Sequence, residues 1–84
     1  MEINTTHELK IETRYFEDIL CEIKKFEIRR NNRFYKVNDQ LLLREIKNDK
    51  FTGRSITKII GYISDLQIYK ITNILILGFK DDTI

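Results

Sequence analysis

Only one stretch of this 84-residue chain repeats its apolar side chains at helical spacing. Tyr15, Phe16, Ile19, Leu20 and Ile23 fall at i, i+1, i+4, i+5 and i+8, one stripe along a helix, with Glu17, Asp18 and Glu22 outside it. Thr13 precedes the stripe as a good N-cap residue. A single helix limits the architecture sharply. A doubly wound parallel sheet needs crossover helices between its strands, and a chain this short with one helix cannot supply them. The remaining segments must pair as a small, mainly antiparallel sheet that curls to bury its own face.

Those segments read as strands. Glu8-Leu9-Lys10-Ile11-Glu12 alternates charged and apolar residues, with Leu9 and Ile11 toward the core and Lys10 toward solvent or a groove. From Lys25 to Arg29, Phe26 and Ile28 point one way while Lys25, Glu27 and Arg29 point the other. Residues 41–46 make a third strand, apolar on both faces at its start and therefore central. Asn31-Asn32 and Asn38-Asp39 are turn chemistry, with Phe34 and Tyr35 as a short aromatic link between them. Asn48-Asp49-Lys50 forms a polar loop and Thr52-Gly53-Arg54 a turn. Residues 55–63 are a β-branched run, 64–73 show no clean period, and 74–79 close the domain as a buried strand. Asp81-Asp82-Thr83-Ile84 is expected to fray. The expected fold is therefore α+β: residues 1–84 as a single domain, a β-barrel with one helix packed at its end.

Composition removes several function classes. Hydrophobic residues at 42% and charged residues at 33% are those of an ordinary globular protein. Cys21 has no partner for an internal disulfide and reads as a small packing residue at the edge of the stripe. His7 has no second His or Cys nearby, so it is expected to pack or hydrogen-bond within the fold, and neither metal nor cofactor is expected. The polar N-terminus is unlike a signal peptide, and the apolar run Ile74-Leu75-Ile76-Leu77 is too short to span a bilayer. No membrane partner and a cytoplasmic location are the expectations.

Charge is where the chain departs from the ordinary. Between Lys24 and Arg33 stand Lys24, Lys25, Arg29, Arg30 and Arg33 against Glu27 alone, while the whole chain carries only +2. The other residues hold ten basic and twelve acidic groups, so the positive charge is concentrated in one segment of a mildly acidic background. An anionic partner would be drawn there. A total of +2 is too little for a long duplex footprint, which demands many basic contacts; a few nucleotides or one base suits the patch better.

A series of short motifs then falls in order: His7-Glu8-Leu9-Lys10, Tyr15-Phe16, Lys24-x-x-Glu27-x-Arg29, Asn32-Arg33, Val37-x-Asp39, Leu41-x-Leu43-x-Glu45 and Phe51-Thr52-Gly53-Arg54. Over residues 7–63 this resembles the small ASCH-type proteins of the PUA-like superfamily, in particular a phage and bacterial family of unknown function. The lack of proline and the abundance of Ile, Lys and Asn suit such an AT-rich source. The ASCH signature Gly-x-Lys-x-x-Glu-x-Arg lies on residues 22–29, with Glu22 in place of the glycine, and Asn38 replaces a turn glycine. The resemblance implies a PUA-like barrel with a cleft between helix and sheet, binding RNA or modified nucleobases. Glu22 would then place a carboxylate at the cleft mouth. One ASCH branch is an amidohydrolase of acetylated cytidine, similar at the lysine but with threonine where this chain has Glu27.

On these grounds the candidate ligand-binding residues are Lys10, Lys24, Glu27, Arg29, Arg33 and Arg54, and the expected partner is RNA, single-stranded nucleic acid or a nucleotide. Arg29 can clamp a phosphate or base edge in a bidentate fork, and Glu27 can accept from an exocyclic amine. Tyr15, Phe34 and Tyr35 are candidates for base stacking. Were the chain an enzyme, Lys24 and Glu27 would be its catalytic proton-transfer pair. A third possibility is a phage interaction protein acting on a host protein or defence system.

Overall fold

The alternating segments pair into one five-stranded sheet, and the helical stripe packs across its inner face. The computed structural model describes residues 4–80. In chain order it holds β1 (Thr6–Glu12), α1 (Thr13–Leu20), β2 (Phe26–Arg30), β3 (Gln40–Lys47), β4 (Lys50–Asp65), a short 3-10 turn (Gln67–Tyr69) and β5 (Ile74–Lys80). The strand order is β1-β3-β4-β5-β2. Pairing is antiparallel except between β1 and β3, which run parallel, so the sheet is mixed. That parallel pair follows from the path of the chain. After β1 it forms α1, crosses to the far edge as β2, and returns to lie beside β1 as β3. The expected tail at 81–84 lies outside the described residues.

Leu9, Ile11, Phe16, Ile19, Leu41, Leu43, Ile60 and Leu77 form the buried core, with Tyr35, Ile56, Ile63, Leu75 and Phe79 packed against it. Two irregularities in the long strand β4 curl the sheet around this core. Arg44 pairs with Ser55 but Ile46 with Phe51, so Glu45 stands opposite three residues, Thr52, Gly53 and Arg54. Gly53 takes φ +94, a conformation costly for any residue with a Cβ. The Thr52-Gly53-Arg54 segment is thus a bulge within a continuous strand and not a turn. The chain reverses earlier, at Asn48 and Asp49, whose φ values of 53 and 63 suit a two-residue hairpin turn. Farther along, Ile60 pairs with Phe79 and Tyr62 with Gly78, leaving Gly61 extra. Bulges bend a strand and raise its twist. Here they bring the edges β1 and β2 around to face each other, yet no ladder joins them. The result is a half-barrel with an open seam, where the sequence reading expects a barrel.

The helix is short and held from outside. Glu12, not Thr13, occupies the N-cap position, and no side chain caps it; the Thr13 hydroxyl donates to the Ile46 carbonyl at 3.4 Å. Only Phe16 and Ile19 of the stripe are buried, while Leu20 and Ile23 are exposed. Cys21 is exposed as well, not packed. Eight residues do not sustain a helix alone, so packing on β1 and β3 must hold it. Its end is well defined. The Ile23 N–H donates to Asp18 O at 2.9 Å and the Glu22 N–H to Ile19 O at 3.0 Å, with Glu22 at φ +61. This is a Schellman termination with a left-handed residue after the cap. The segment 64–73, unassigned by periodicity, finishes β4, makes the 3-10 turn and passes through two left-handed residues, Lys70 and Asn73.

Candidate binding site at the strand seam

Strand β2 faces the opposite way from an ordinary amphipathic strand. Its register on β5 sets Glu27 opposite Leu77 and Arg29 opposite Leu75, so both charged residues share the core-facing side. Phe26 and Ile28 point outward and are 40% and 51% exposed, whereas Glu27 is only 5% exposed. A buried carboxylate persists only when its oxygens find partners. Lys24 Nζ donates to Glu27 Oε1 at 3.0 Å and Arg29 Nε to Glu27 Oε2 at 2.7 Å. Arg29 also reaches across the seam, donating from Nη2 to the Lys10 carbonyl of β1 at 2.6 Å. The Lys24 ammonium lies over the rings of Tyr15 and Phe26, 4.6 Å and 5.5 Å from their centroids. The Lys24–Glu27–Arg29 group therefore carries a net positive charge where the two sheet edges meet.

Three cavities run along this seam, and Arg29 lines all of them. The first, about 360 Å³, is walled by Tyr15, Lys24, Glu27, Ile28 and Arg29, with Lys10, Ile11 and Glu12 opposite. A second, about 320 Å³, runs from Leu9, Ile28 and Arg29 to Arg30, Asn32, Arg33 and Tyr35. A third, about 290 Å³, opens past the edge of β1 between Glu8, Leu9, Lys10, Arg29, Arg33 and Arg44. Glu22 lines none of the three and is exposed, so the expected carboxylate at the cleft mouth is absent. The backbone explains the position instead: it is the left-handed residue that ends α1.

The structure gathers five of the six residues singled out by the sequence. Lys24, Glu27 and Arg29 meet directly, Lys10 lies across the seam, and Arg33 joins from the loop after β2. Lys10 meets Arg29 through its carbonyl, its ammonium lies 5.7 Å from the Phe51 ring centroid, and it also lines the third cavity. Arg54 lies elsewhere. Its Nε donates to Glu45 Oε1 at 2.8 Å and its Nη2 to Glu45 Oε2 at 2.7 Å, and it also pairs with Glu17 of α1. The bulge at residues 52–54 turns it toward that pair and away from the seam. Of the aromatic candidates, Tyr15 lines the first cavity and Tyr35 the second, while Phe34 is 92% exposed and lines none of them. Arg44 is the addition that sequence reading missed. Its place beside Lys10 depends on the parallel pairing of β1 with β3, which no local pattern signals.

A second polar cluster supports the floor of the seam. His7 Nε2 donates to Asp39 Oδ2 at 2.9 Å, and Asp39 also accepts from the backbone N–H groups of Thr5 and Lys36. Burial alone would raise the Asp39 pKa, but these hydrogen bonds, led by His7, lower it. The His7 ring packs on Tyr35 with centroids 4.6 Å apart, which positions Tyr35 along the cavity wall. Burial raises the Tyr35 pKa, with Arg33 and Arg29 pulling against it. Among the described residues no three His, Cys, Asp or Glu side chains converge as a metal site. Nor, among the same residues, is any helix long and apolar enough to cross a membrane.

Comparison with known proteins adds a family and a relative. The family model described as "Domain of unknown function (DUF3850)" matches residues 6–79. The chain is 37% identical over 60 residues to the "Uncharacterized 12.9 kDa protein in GpA 3'region" of Escherichia phage P2, covering 71% of this chain and 55% of that protein. It thus spans about half the length of that relative.

Proposed function

We propose that this chain, which belongs to the family described as a domain of unknown function (DUF3850), is a small RNA- or nucleotide-binding module of ASCH/PUA-like type. It holds an anionic nucleotide or a short single strand in the seam between β1 and β2, which the helix borders through Tyr15, in the cytoplasm. The observation that carries this reading is the inverted strand β2, with Glu27 and Arg29 on the core-facing side and Phe26 and Ile28 outside. A fold selected for stability alone gains nothing from a buried ion pair over an apolar one of equal size. Here the pair borders the first cavity, Arg29 borders the other two as well, and it keeps N–H groups beyond those used on Glu27 and Lys10. A carboxylate with spare lone pairs beside a guanidinium suits the mixed donor and acceptor edge of a nucleobase. A volume of about 360 Å³ is at the small end of ligand sites and suits one nucleoside.

Titration of wild type, Arg29→Ala and Arg30→Ala with ribonucleotides and short single-stranded RNA tests the reading. Arg30 neighbours Arg29 in sequence but is exposed and outside the ion pair. A shaped site predicts a loss of roughly tenfold or more for Arg29→Ala and little change for Arg30→Ala. Equal losses would reduce the site to diffuse charge and overturn it. One contact favours a second reading. The 3.0 Å pair of Lys24 with Glu27 is the geometry of a proton-transfer couple, as in an amidohydrolase of N-acylated nucleosides such as acetylated cytidine. Mass spectrometry of acetylated cytidine incubated with wild type and Lys24→Ala separates the two. Deacetylated product from wild type alone establishes the enzyme, and an unaltered nucleoside leaves the binder.

A further inference from the structure

The three cavities share Arg29 but differ in what else they offer a ligand. The first presents an aromatic ring, Tyr15, with Ile11, Ile28 and two carboxylates, Glu12 and Glu27, against Lys10, Lys24 and Arg29. The third presents Lys10, Arg29, Arg33 and Arg44 against Glu8 alone. Glu8 is already engaged, accepting from Arg44 Nη1 at 3.1 Å. Lining about 290 Å³, these four cations outnumber the one carboxylate, so the lining stays net positive and draws an anion. Two of them are held from behind. The Arg44 guanidinium carbon lies 3.8 Å from the Phe51 ring centroid and the Lys10 ammonium 5.7 Å, so one aromatic ring contacts both. Arg33 makes no ion pair among the described residues, and Arg29 keeps N–H groups free.

Resting on the nucleotide reading above, we propose that the third cavity is the phosphate subsite of that site. The phosphate of one nucleotide lies between Arg29, Arg33 and Arg44, and its base lies against Tyr15 beside Glu27. Arg29, common to both cavities, spans from base to phosphate. The ligand is then a nucleoside monophosphate, free or as the terminal nucleotide of a strand, bound in one direction along the seam. This recruits Arg44, which belongs to none of the sequence motifs for the site, and it leaves Arg30 without a role.

Calorimetric titration with the four ribonucleosides, their 5′- and 3′-monophosphates, a dinucleotide and inorganic phosphate tests this. In wild type a monophosphate should bind at least roughly tenfold more tightly than its nucleoside. Arg33→Gln and Arg44→Gln should each abolish that gain while leaving nucleoside affinity within about twofold, and Arg30→Gln should change neither. Arg33 is exposed and in a loop, so its variant decides the matter even if Arg44→Gln disturbs the sheet. Tighter binding of the dinucleotide than of the monophosphate identifies a strand end, and the reverse a free nucleotide; either supports the subsite. A nucleoside that binds with no gain from its phosphate overturns the subsite and leaves the nucleotide reading standing. A uniform loss for nucleoside and monophosphate in Arg33→Gln overturns it likewise. Absence of binding by every probe overturns both.

Discussion

Two carboxylates are buried on the inner face of this sheet, each held by an arginine, and they do opposite work. Glu45 of β3 takes a two-pronged grip from Arg54, accepts from the Thr52 hydroxyl, and is tied through Arg54 to Glu17 of α1. Its cluster counts two carboxylates to one guanidinium and borders none of the three seam cavities. Glu27 of β2 takes one bond from Arg29 and one from Lys24, and Arg29 spends its other contact on a backbone carbonyl across an open seam. That cluster counts two cations to one carboxylate and borders all three cavities through Arg29. One arrangement is closed and staples the helix to the bulge. The other is left positive and open to a ligand. Pairing alone does not distinguish a structural ion pair from a candidate site; leftover donors beside a cavity do.

The largest effect expected from this contrast is on stability. Glu45→Ala removes the acceptor that organises Arg54, Thr52 and, through Arg54, the helix. It should lower the midpoint of thermal unfolding by roughly 10 °C or more. Glu27→Ala should cost clearly less, because Lys24 and Arg29 reach water through the cavities once their partner is gone. Circular dichroism melts of both variants check the order. A greater loss from Glu27→Ala would make the seam cluster the structural one and reverse the assignment.

Binding should divide the arginines the other way. Arg29→Ala is expected to weaken nucleotide binding by roughly tenfold or more, and Arg54→Ala to leave it within about twofold in protein that is still folded. Titration at a temperature below both melts is the measurement. Comparable losses from the two would place Arg54 in the site despite its distance from the seam cavities.

A pH titration sharpens the comparison further. Hydrogen bonds from Arg54 first, then Thr52, overcome burial and hold the Glu45 pKa down at about 2 from an ordinary 4.5. A carboxyl whose folded pKa is depressed contributes stability above its unfolded pKa and loses it as pH falls through the folded value. Wild type should therefore lose stability progressively from about pH 5 toward pH 2, and Glu45→Gln should lose less over that window. Asp39, also lowered, supplies a remaining acid sensitivity in the variant. Parallel acid-unfolding curves for the two proteins would show that Glu45 does not carry the linkage.

Much of this contrast was legible in the sequence, and the illegible part has a physical reason. Alternation around Leu9 and Ile11, and again along β3, marks strands because the side-chain period is local. The charge cluster from Lys24 to Arg33 marks the candidate site for the same reason. Alternation shows that Glu27 and Arg29 share a face, but not that the face is inward; only the register on β5 decides that. Thr52-Gly53-Arg54 has the composition of a turn, and a bulge with a left-handed glycine uses the same residues. Whether such a segment reverses the chain or bends it depends on the partner strand. Sequence reasoning groups Arg54 with the candidate site and leaves Arg44 out, because both placements rest on pairings made far away in sequence.

The smallest effect separates the seam from the helix that borders it. In the ASCH-type signature that residues 22–29 resemble, a glycine stands at the position of Glu22, five residues before Glu27. Were the glycine there to let a ligand approach, restoring it would strengthen binding. The geometry of this chain points to the backbone instead. Glu22 has φ +61 and closes the Schellman turn, and its side chain is exposed outside the cavities. A residue with a Cβ costs about 1–2 kcal/mol in that conformation, partly offset by the extra chain entropy that glycine loses on folding. Glu22→Gly should then stabilise the protein by roughly 0.5–1 kcal/mol, a rise of a few degrees in the melting midpoint. Affinity for nucleotides should stay within about twofold, since no lining group changes. If instead affinity rises and the melt does not move, position 22 belongs to the open cluster of Glu27 and not to the closed end of the helix.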